Sequence, residues 1–380
     1  MVNNSNVMGI IFPNSYDALV PELVNERLMA SIPFAGRYRM IDFILSSMVN
    51  AGIDNISVIV RENYLSLMDH LGSGREWDLT RKNGGLNIVP PFARKGAKAY
   101  NGRVGALANL LVFLKEQKEK YVVLADSHIA VNFNFKDMIK QHIASGADIT
   151  VAYEESEIPA DLVNTDDISK GLYYSLVLDG TKVTEMKINS KKDGVQNLGM
   201  NIYVIERELL IDLVNNAFVH GKSFFERDII IPNIDTLNVQ AYKCEDYTVR
   251  ITGMKSYFEE NMKLLNDENL DGLFVSDRPV YTKVRDDNPT RYIKGATVKN
   301  IMAADGCVIE GHVENCVLFK GVTIEKGAVV KNCVIMQDSV VKAGAQLEYI
   351  ITDKDVTVSS NVEMKGSPSF PIYIAKGKTV

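Results

Sequence analysis

The sequence predicts an α/β domain with a mostly parallel sheet and helices on both faces, followed by a left-handed β-helix of hexapeptide repeats. Two observations carry this. Residues 1–245 alternate short apolar runs with segments of helical period, the rhythm of a covered parallel sheet. Residues 296–380 repeat small aliphatic side chains at six-residue spacing, which is not a helical period and suits stacked β-coils. Residues 246–295 lie between and read as a helix and a linker.

The elements follow in order. Residues 7–12 (VMGIIF) form a strand, and residues 40–53 a helix with Ile41, Ile44, Leu45 and Met48 on one stripe, ending at Gly52. Residues 55–60 (NISVIV) are the next strand, GALANLLVFLKEQ a helix and KYVVLA a strand. Residues 135–147 make a helix with Met138, Ile139, His142 and Ile143 on one side, followed by the strand DITVAYEE. Asp179-Gly180 inside YYSLVLDGTKVTEMKI is a hairpin signal. LGMNIYVI is a strand, ERELLIDLVNNAF a helix, and MKSYFEENMKLLN an amphipathic helix leading out of the domain. The polar stretch DENLDGLFVSDRPVYTKVRDDNPT reads as the linker. In the repeat region, Val322, Ala328, Val334 and Val340 recur every six residues, and the spacing returns at Ile350, Val356 and Val362. One coil cannot bury its own apolar side, so such coils work as a stack.

Composition narrows the function. The chain is 46% hydrophobic and 24% charged, ordinary globular material, and its net charge of −6 argues against a nucleic-acid binder. No apolar run is long enough to span a membrane, and the first residues lack the basic-then-apolar order of a signal peptide, so a cytoplasmic protein is expected. Cys244, Cys307, Cys316 and Cys333 form no C-x-x-C pair and read as small buried residues.

Ligands of such α/β sheets sit beyond the carboxyl ends of the strands, which here means the turns after Phe12 and Ala125. In nucleotide-binding folds the first of these turns is usually rich in glycine, because a backbone without Cβ can approach phosphate. Here it is Pro13-Asn14-Ser15-Tyr16-Asp17-Ala18, with no glycine, a proline that removes a donor, and a carboxylate that repels phosphate.

The segments IPFAGRYRMIDFILSSMVNAGI (32–53), HLGSGREWDL (70–79), YNGRVGALANL (100–110), YVVLADSHIA (121–130), LGMNIYVI (198–205) and GCVIEGHVENCVLFKGVTI (306–324) nonetheless carry a resemblance, almost end to end and in the family's order, to glucose-1-phosphate adenylyltransferase (ADP-glucose pyrophosphorylase). It implies a nucleotidyltransferase-like fold, and a family activity that joins ATP and glucose 1-phosphate into ADP-glucose and pyrophosphate with magnesium, usually in allosteric tetramers.

Matched position by position, the resemblance implies that the chemistry is missing. The family loop A-G-G-x-G-x-R-L is replaced by PNSYDALVPEL, without its glycines or its arginine. The lysine before the PF element is Met29, and the segment G-T-A-D-A is Gly102-Arg103-Val104-Gly105-Ala106. The metal aspartate of L-A-G-D-H is Ser127, with Asp126 one residue early, and the second metal aspartate, in D-V-G-T, is Arg250. The sugar-phosphate lysine of E-K-P appears at Lys187, displaced by one, which on a strand turns it to the other face. No catalytic, metal or cofactor residue is therefore expected, with Asp126 reaching a metal only if its turn bulges. Each lost charge-assisted contact is worth about 2–4 kcal/mol in the transition state. His128 reads as a packed turn histidine.

The resemblance has a specific counterpart, a non-catalytic subunit that regulates a catalytic ADP-glucose pyrophosphorylase in a heterotetramer, magnesium being bound by the partner alone. That is the expected role, with a homo-oligomer as the form when alone; a weakly active sugar-1-phosphate nucleotidyltransferase and a partner-independent sensor of sugar nucleotide or phosphate are the alternatives. Arg37 and Arg39 match a basic segment that binds anionic activators such as sugar phosphates, and Lys376 and Lys378 are candidates for the same anion. Arg39 reads equally as a structural fork between two loops. Trp77 is either a packing anchor or part of a link between regulatory and active sites. A hexapeptide acyltransferase would need His312, the only histidine of the repeat region, and the N-terminal resemblance argues against it.

Overall fold

The computed structural model describes residues 6–91, 102–163, 173–191 and 194–380. Tyr100 and Asn101 of the segment 100–110 lie outside them. Nine strands form one twisted sheet in the spatial order 85–89, 55–59, 7–12, 121–126, 195–206, 149–157, 239–243, 182–188, 174–179. Val7–Phe12 pairs in parallel with Asn55–Ile59 and with Tyr121–Asp126. Val195–Glu206 runs antiparallel to both of its main neighbours, so the sheet is mixed at its centre. These inner strands read as near-continuous apolar runs because both faces are covered.

The helix Met40–Asn50 is buried on nearly every side, although its sequence shows one stripe. Ile41, Ile44, Leu45 and Met48 face the sheet. Met40 and Phe43 enter a second core with Tyr257, Phe258, Phe319, Val334 and Ile351, which joins the α/β domain to the repeat domain. The segment read as linker contains a further helix, Asp267–Leu273, because the Asn266 side chain accepts from the N–H groups of Glu268 (2.9 Å) and Asn269 (3.4 Å) and so caps it. The extended chain beyond it is pinned to the domain, with Tyr281 N donating to Ser46 Oγ at 2.9 Å.

Residues 291–374 form a β-helix of parallel coils in a five-stranded and a seven-stranded sheet. The inward set differs from the strict six-residue series. His312 pairs with Val329 and Thr323 with Val340, offsets of 17 residues rather than 18. One step per coil is therefore five residues long. Cys333 takes the inward position, and Val334 turns to the interdomain core. Likewise Ser339 and Val341 are buried while Val340 between them is half-buried. Adjacent strand residues point to opposite faces, so a one-residue shortening moves the side chain to the other side of the coil. Cys244, Cys307, Cys316 and Cys333 are free and buried.

Candidate functional site

The cleft lies where the two parallel strands end, with Phe12 beside Asp126 in register. The turn after Phe12 folds back on itself. Asn14 Oδ1 accepts from Arg61 N (2.9 Å), and Asn14 Nδ2 donates to Asp17 Oδ2 (3.1 Å). Asp17 faces inward, away from the role of repelling phosphate, and its Oδ1 accepts from Met29 N at 2.7 Å. Burial pushes its carboxyl up to about 6, partly offset by the bonds from Met29 and Asn14. Tyr16 sits in the left-handed region (φ 67°) and lays its ring on His128, with centroids 4.2 Å apart.

The floor of the cleft is filled by the protein's own groups. Asp126 Oδ1 accepts from Ser15 Oγ (2.9 Å), and Oδ2 from Asn201 Nδ2 (2.9 Å) and from the Arg103 guanidinium. Arg103 also pairs with Glu226, which accepts from Tyr203 Oη at 2.7 Å. Asn201 reaches the cleft because its strand shifts register between Gly199 and Tyr203, and it takes a positive φ of 57° there, a conformation asparagine tolerates. Burial raises the Asp126 carboxyl, while Arg103, Ser15 and Asn201 act in the opposite sense.

A divalent metal does not fit these residues. Both Asp126 oxygens are engaged, and no cluster of three metal-ligating side chains occurs among the described residues. Ser127 Oγ is buried without a hydrogen-bond partner among the described residues. Arg250 forks onto Glu154 Oε1 (2.7 and 3.0 Å) and donates to His128 Nε2 at 3.3 Å. Since arginine only donates, His128 Nε2 accepts. Burial, then Arg250 and Arg103, hold His128 well below its ordinary range, so the ring is neutral. Met29 is fully buried, and Lys187 is exposed and paired with Glu185 (3.4 Å). The space left around Arg103 is two hollows of about 150 Å³ each. Sites for drug-sized ligands run to roughly 300–1,000 Å³.

A larger cavity, about 440 Å³, opens between the two domains. Arg37 and Arg39 line it from the α/β side, Lys283 and Arg285 from the linker, and Lys320, Lys354 and Lys376 from the β-helix. Asp69, Asp338 and Asp355 are the carboxylates of its lining. Arg39 also does the structural work, its Nη1 donating to Ser66 O (2.6 Å) and Oγ (2.9 Å). Lys376 pairs with Glu26 at 3.1 Å. Lys378 lies outside the lining: the chain turns at Gly377 (φ 68°), and the Lys378 carbonyl accepts from Thr357 N at 2.9 Å. Burial lowers Lys320, with Arg37 adding to it, and pushes Lys354 down to about 7, with Arg39 and Arg27 adding.

Sequence reasoning named Arg37, Arg39 and Lys376 but missed Lys283 and Arg285 of the linker and Lys320 and Lys354 of the β-helix, which come together only when the domains pack. It also missed Asn201, Tyr203 and Glu226, whose one signal was their chemistry beside Arg103. In the wall of the cavity, His70 Nε2 meets Asp42 Oδ1 at 2.6 Å, and its ring packs edge-on against buried Trp77. Trp77 Nε1 donates to Ser46 Oγ at 3.2 Å.

Comparison with known proteins agrees with this architecture. Residues 22–160 match the nucleotidyl transferase family, and residues 283–366 the GlmU-like C-terminal hexapeptide family. The chain is 34% identical to glycogen biosynthesis protein GlgD of Bacillus subtilis, over 98% of this chain and 97% of that protein. It is 35% identical to GlgD of Geobacillus stearothermophilus, over 86% of this chain and 83% of that one. A glucose-1-phosphate adenylyltransferase of Geobacillus stearothermophilus is 34% identical over 79% of this chain and 77% of its own. The chain therefore belongs to the family that unites these GlgD proteins with the glucose-1-phosphate adenylyltransferases.

Proposed function

We propose that this chain is a non-catalytic regulatory subunit that associates with a catalytic ADP-glucose pyrophosphorylase subunit and modulates it in glycogen synthesis. The observation that carries this reading is the Arg103 bridge between Asp126 and Glu226, which seals the cleft where a nucleotide and metal would sit. Met29, Ser127 and Arg250 are the degenerate catalytic positions in this reading, and magnesium is left to the partner. The pair acts as a cytoplasmic heterotetramer, and no helix among the described residues is long and apolar enough to cross a membrane.

The interdomain cavity takes the effector, an anion of the sugar bisphosphate class. Seven bases face three carboxylates there, which favours a multiply charged phosphate. Arg37, Arg39 and Lys376 bind it in this reading.

The test is ADP-glucose formation from ATP and glucose 1-phosphate with magnesium. This chain is assayed alone and with the catalytic subunit from the same cell, with and without fructose 1,6-bisphosphate. No turnover alone, with a raised kcat or a lowered effector requirement in the mixture, is expected. Turnover by this chain alone would assign it to the weakly active transferases.

A further inference from the structure

Lys354 and Lys320 are the two lysines of the interdomain cavity with no carboxylate in ion-pair range among the described residues, and Lys354 is the more accessible of the two. Arg37, Lys283, Arg285 and Lys376 each have a carboxylate within 4.0 Å. Lys354 Nζ has no hydrogen-bond or ion-pair partner among the described residues. Its sequence neighbour Asp353 is already engaged by three other donors. Asp353 Oδ1 accepts from Arg27 Nη2 and from the Lys354 backbone N, both at 2.7 Å, and Oδ2 from Tyr373 Oη at 2.7 Å. The charged groups that face Lys354 are Arg39 and Arg27 from the α/β domain and Lys376 and Asp353 from the β-helix, three cations against one neutralised carboxylate. The next residue, Asp355, is exposed. A half-buried amine in such surroundings is held partly in its free-base form, and burial with these cations pushes Lys354 down to about 7.

We propose that Lys354 is an acylation site served by this cavity, with small acyl phosphates as the acyl donors. The proposal rests on the anion-pocket reading above. The phosphoryl end of the donor docks on the bases of the lining, which brings its carbonyl carbon to the amine. The Nζ lone pair attacks that carbon and an N–C bond forms. The acyl C–O bond to phosphorus breaks, phosphate leaves with the electron pair, and the amine proton passes to water or to the departing phosphate. The products are Nζ-acyl-lysine and inorganic phosphate, with no change of oxidation state. The amide carries no charge, so acylation removes one cation from the pocket and weakens its hold on the effector.

The experiment treats the full chain with acetyl phosphate at pH 7.5 and follows each lysine by peptide mass spectrometry. Lys354 is expected to acetylate at least about tenfold faster than exposed Lys326 and Lys378, because a lysine of ordinary pKa is almost wholly protonated there. Pyrophosphate should suppress this advantage. Lys283→Gln and Arg285→Gln, both on the cavity rim, should reduce it. An uncharged acylating reagent should show a smaller preference for Lys354. Equal rates at all three lysines, or a preference that pyrophosphate leaves untouched, would overturn the proposal. Calorimetric titration with pyrophosphate separates the two readings. Pyrophosphate binding without Lys354 selectivity defeats acylation alone, and no pyrophosphate binding defeats the anion pocket as well.

Discussion

The Arg103 guanidinium lies directly against the Asp126 carboxylate at the end of the strand Tyr121–Asp126, and its other edge meets Glu226. A fixed internal cation thus stands on the floor of the cleft, held by two side chains that are themselves buried. The contact pairs three charges within the protein itself.

Arg103→Ala should therefore destabilise the protein strongly. Removing one partner of a buried ion pair leaves uncompensated charge, at a cost of about 3–5 kcal/mol. Urea unfolding would measure the loss. A variant as stable as the parent would show that Asp126 and Glu226 are neutral or solvated.

Arg250 and Glu154 should behave as one unit. Arg250→Ala strands Glu154, which is left with Thr248 as donor, and should cost about 3 kcal/mol. Arg250→Ala combined with Glu154→Ala should be less harmful than the sum of the two changes, because neither charge is then left alone. A thermal double-mutant cycle checks this, and strict additivity would contradict it.

Asp17 should give the protein a measurable pH dependence. The folded carboxyl titrates near 6, above its value of about 4 in an unfolded chain. The folded state therefore holds more protons than the unfolded state between these values, and this group makes stability fall as pH rises from about 4 to 6. Above that window its penalty is constant. Asp17→Asn keeps an acceptor for Met29 N and should remove this slope. The readout is the difference in urea midpoint between parent and variant at several pH values from 4 to 7, and a constant difference would argue against an Asp17 raised by burial.

Pyrophosphate affinity at the interdomain cavity should fall as pH rises through about 7. Lys354 is lowered to that value in the free protein, and a bound anion favours its charged form, so binding takes up protons around and above that pH. Lys354→Arg keeps the charge at all pH values and should flatten the dependence relative to the parent. Calorimetry in buffers of different ionisation enthalpy would reveal the proton uptake directly. Identical pH profiles for parent and variant would exclude Lys354 from the linkage.

Much of the fold was legible because its signals are local. The strand VMGIIF, the Asp179-Gly180 hairpin and the helix ending at Gly52 each follow from side-chain period and turn chemistry over a few residues. The β-helix was legible in kind, while its phase was not. The five-residue step that places Cys333 inside and Val334 outside is set by backbone corners such as Asn315 and Asn332, which take positive φ (49° and 50°) and stack along the coil at 3.3 Å. A fixed period read along the chain cannot report a shortened corner.

The sequence by itself determined that the turn Pro13–Ala18 contains no glycine, that Ser127 and Arg250 carry no carboxylate, and that Arg37 and Arg39 form a basic pair. Those statements depend only on which side chain occupies a position. Tertiary structure alone decided where the displaced charges go. Asp17 turned inward to Met29, Arg103 came to rest on Asp126, and Glu154, 96 residues before Arg250, became its partner. It also gathered bases from the α/β domain, the linker and the β-helix around one cavity. Buried charge needs an opposite charge or water within a few ångströms, and which groups meet at that range is fixed by the packing of distant segments.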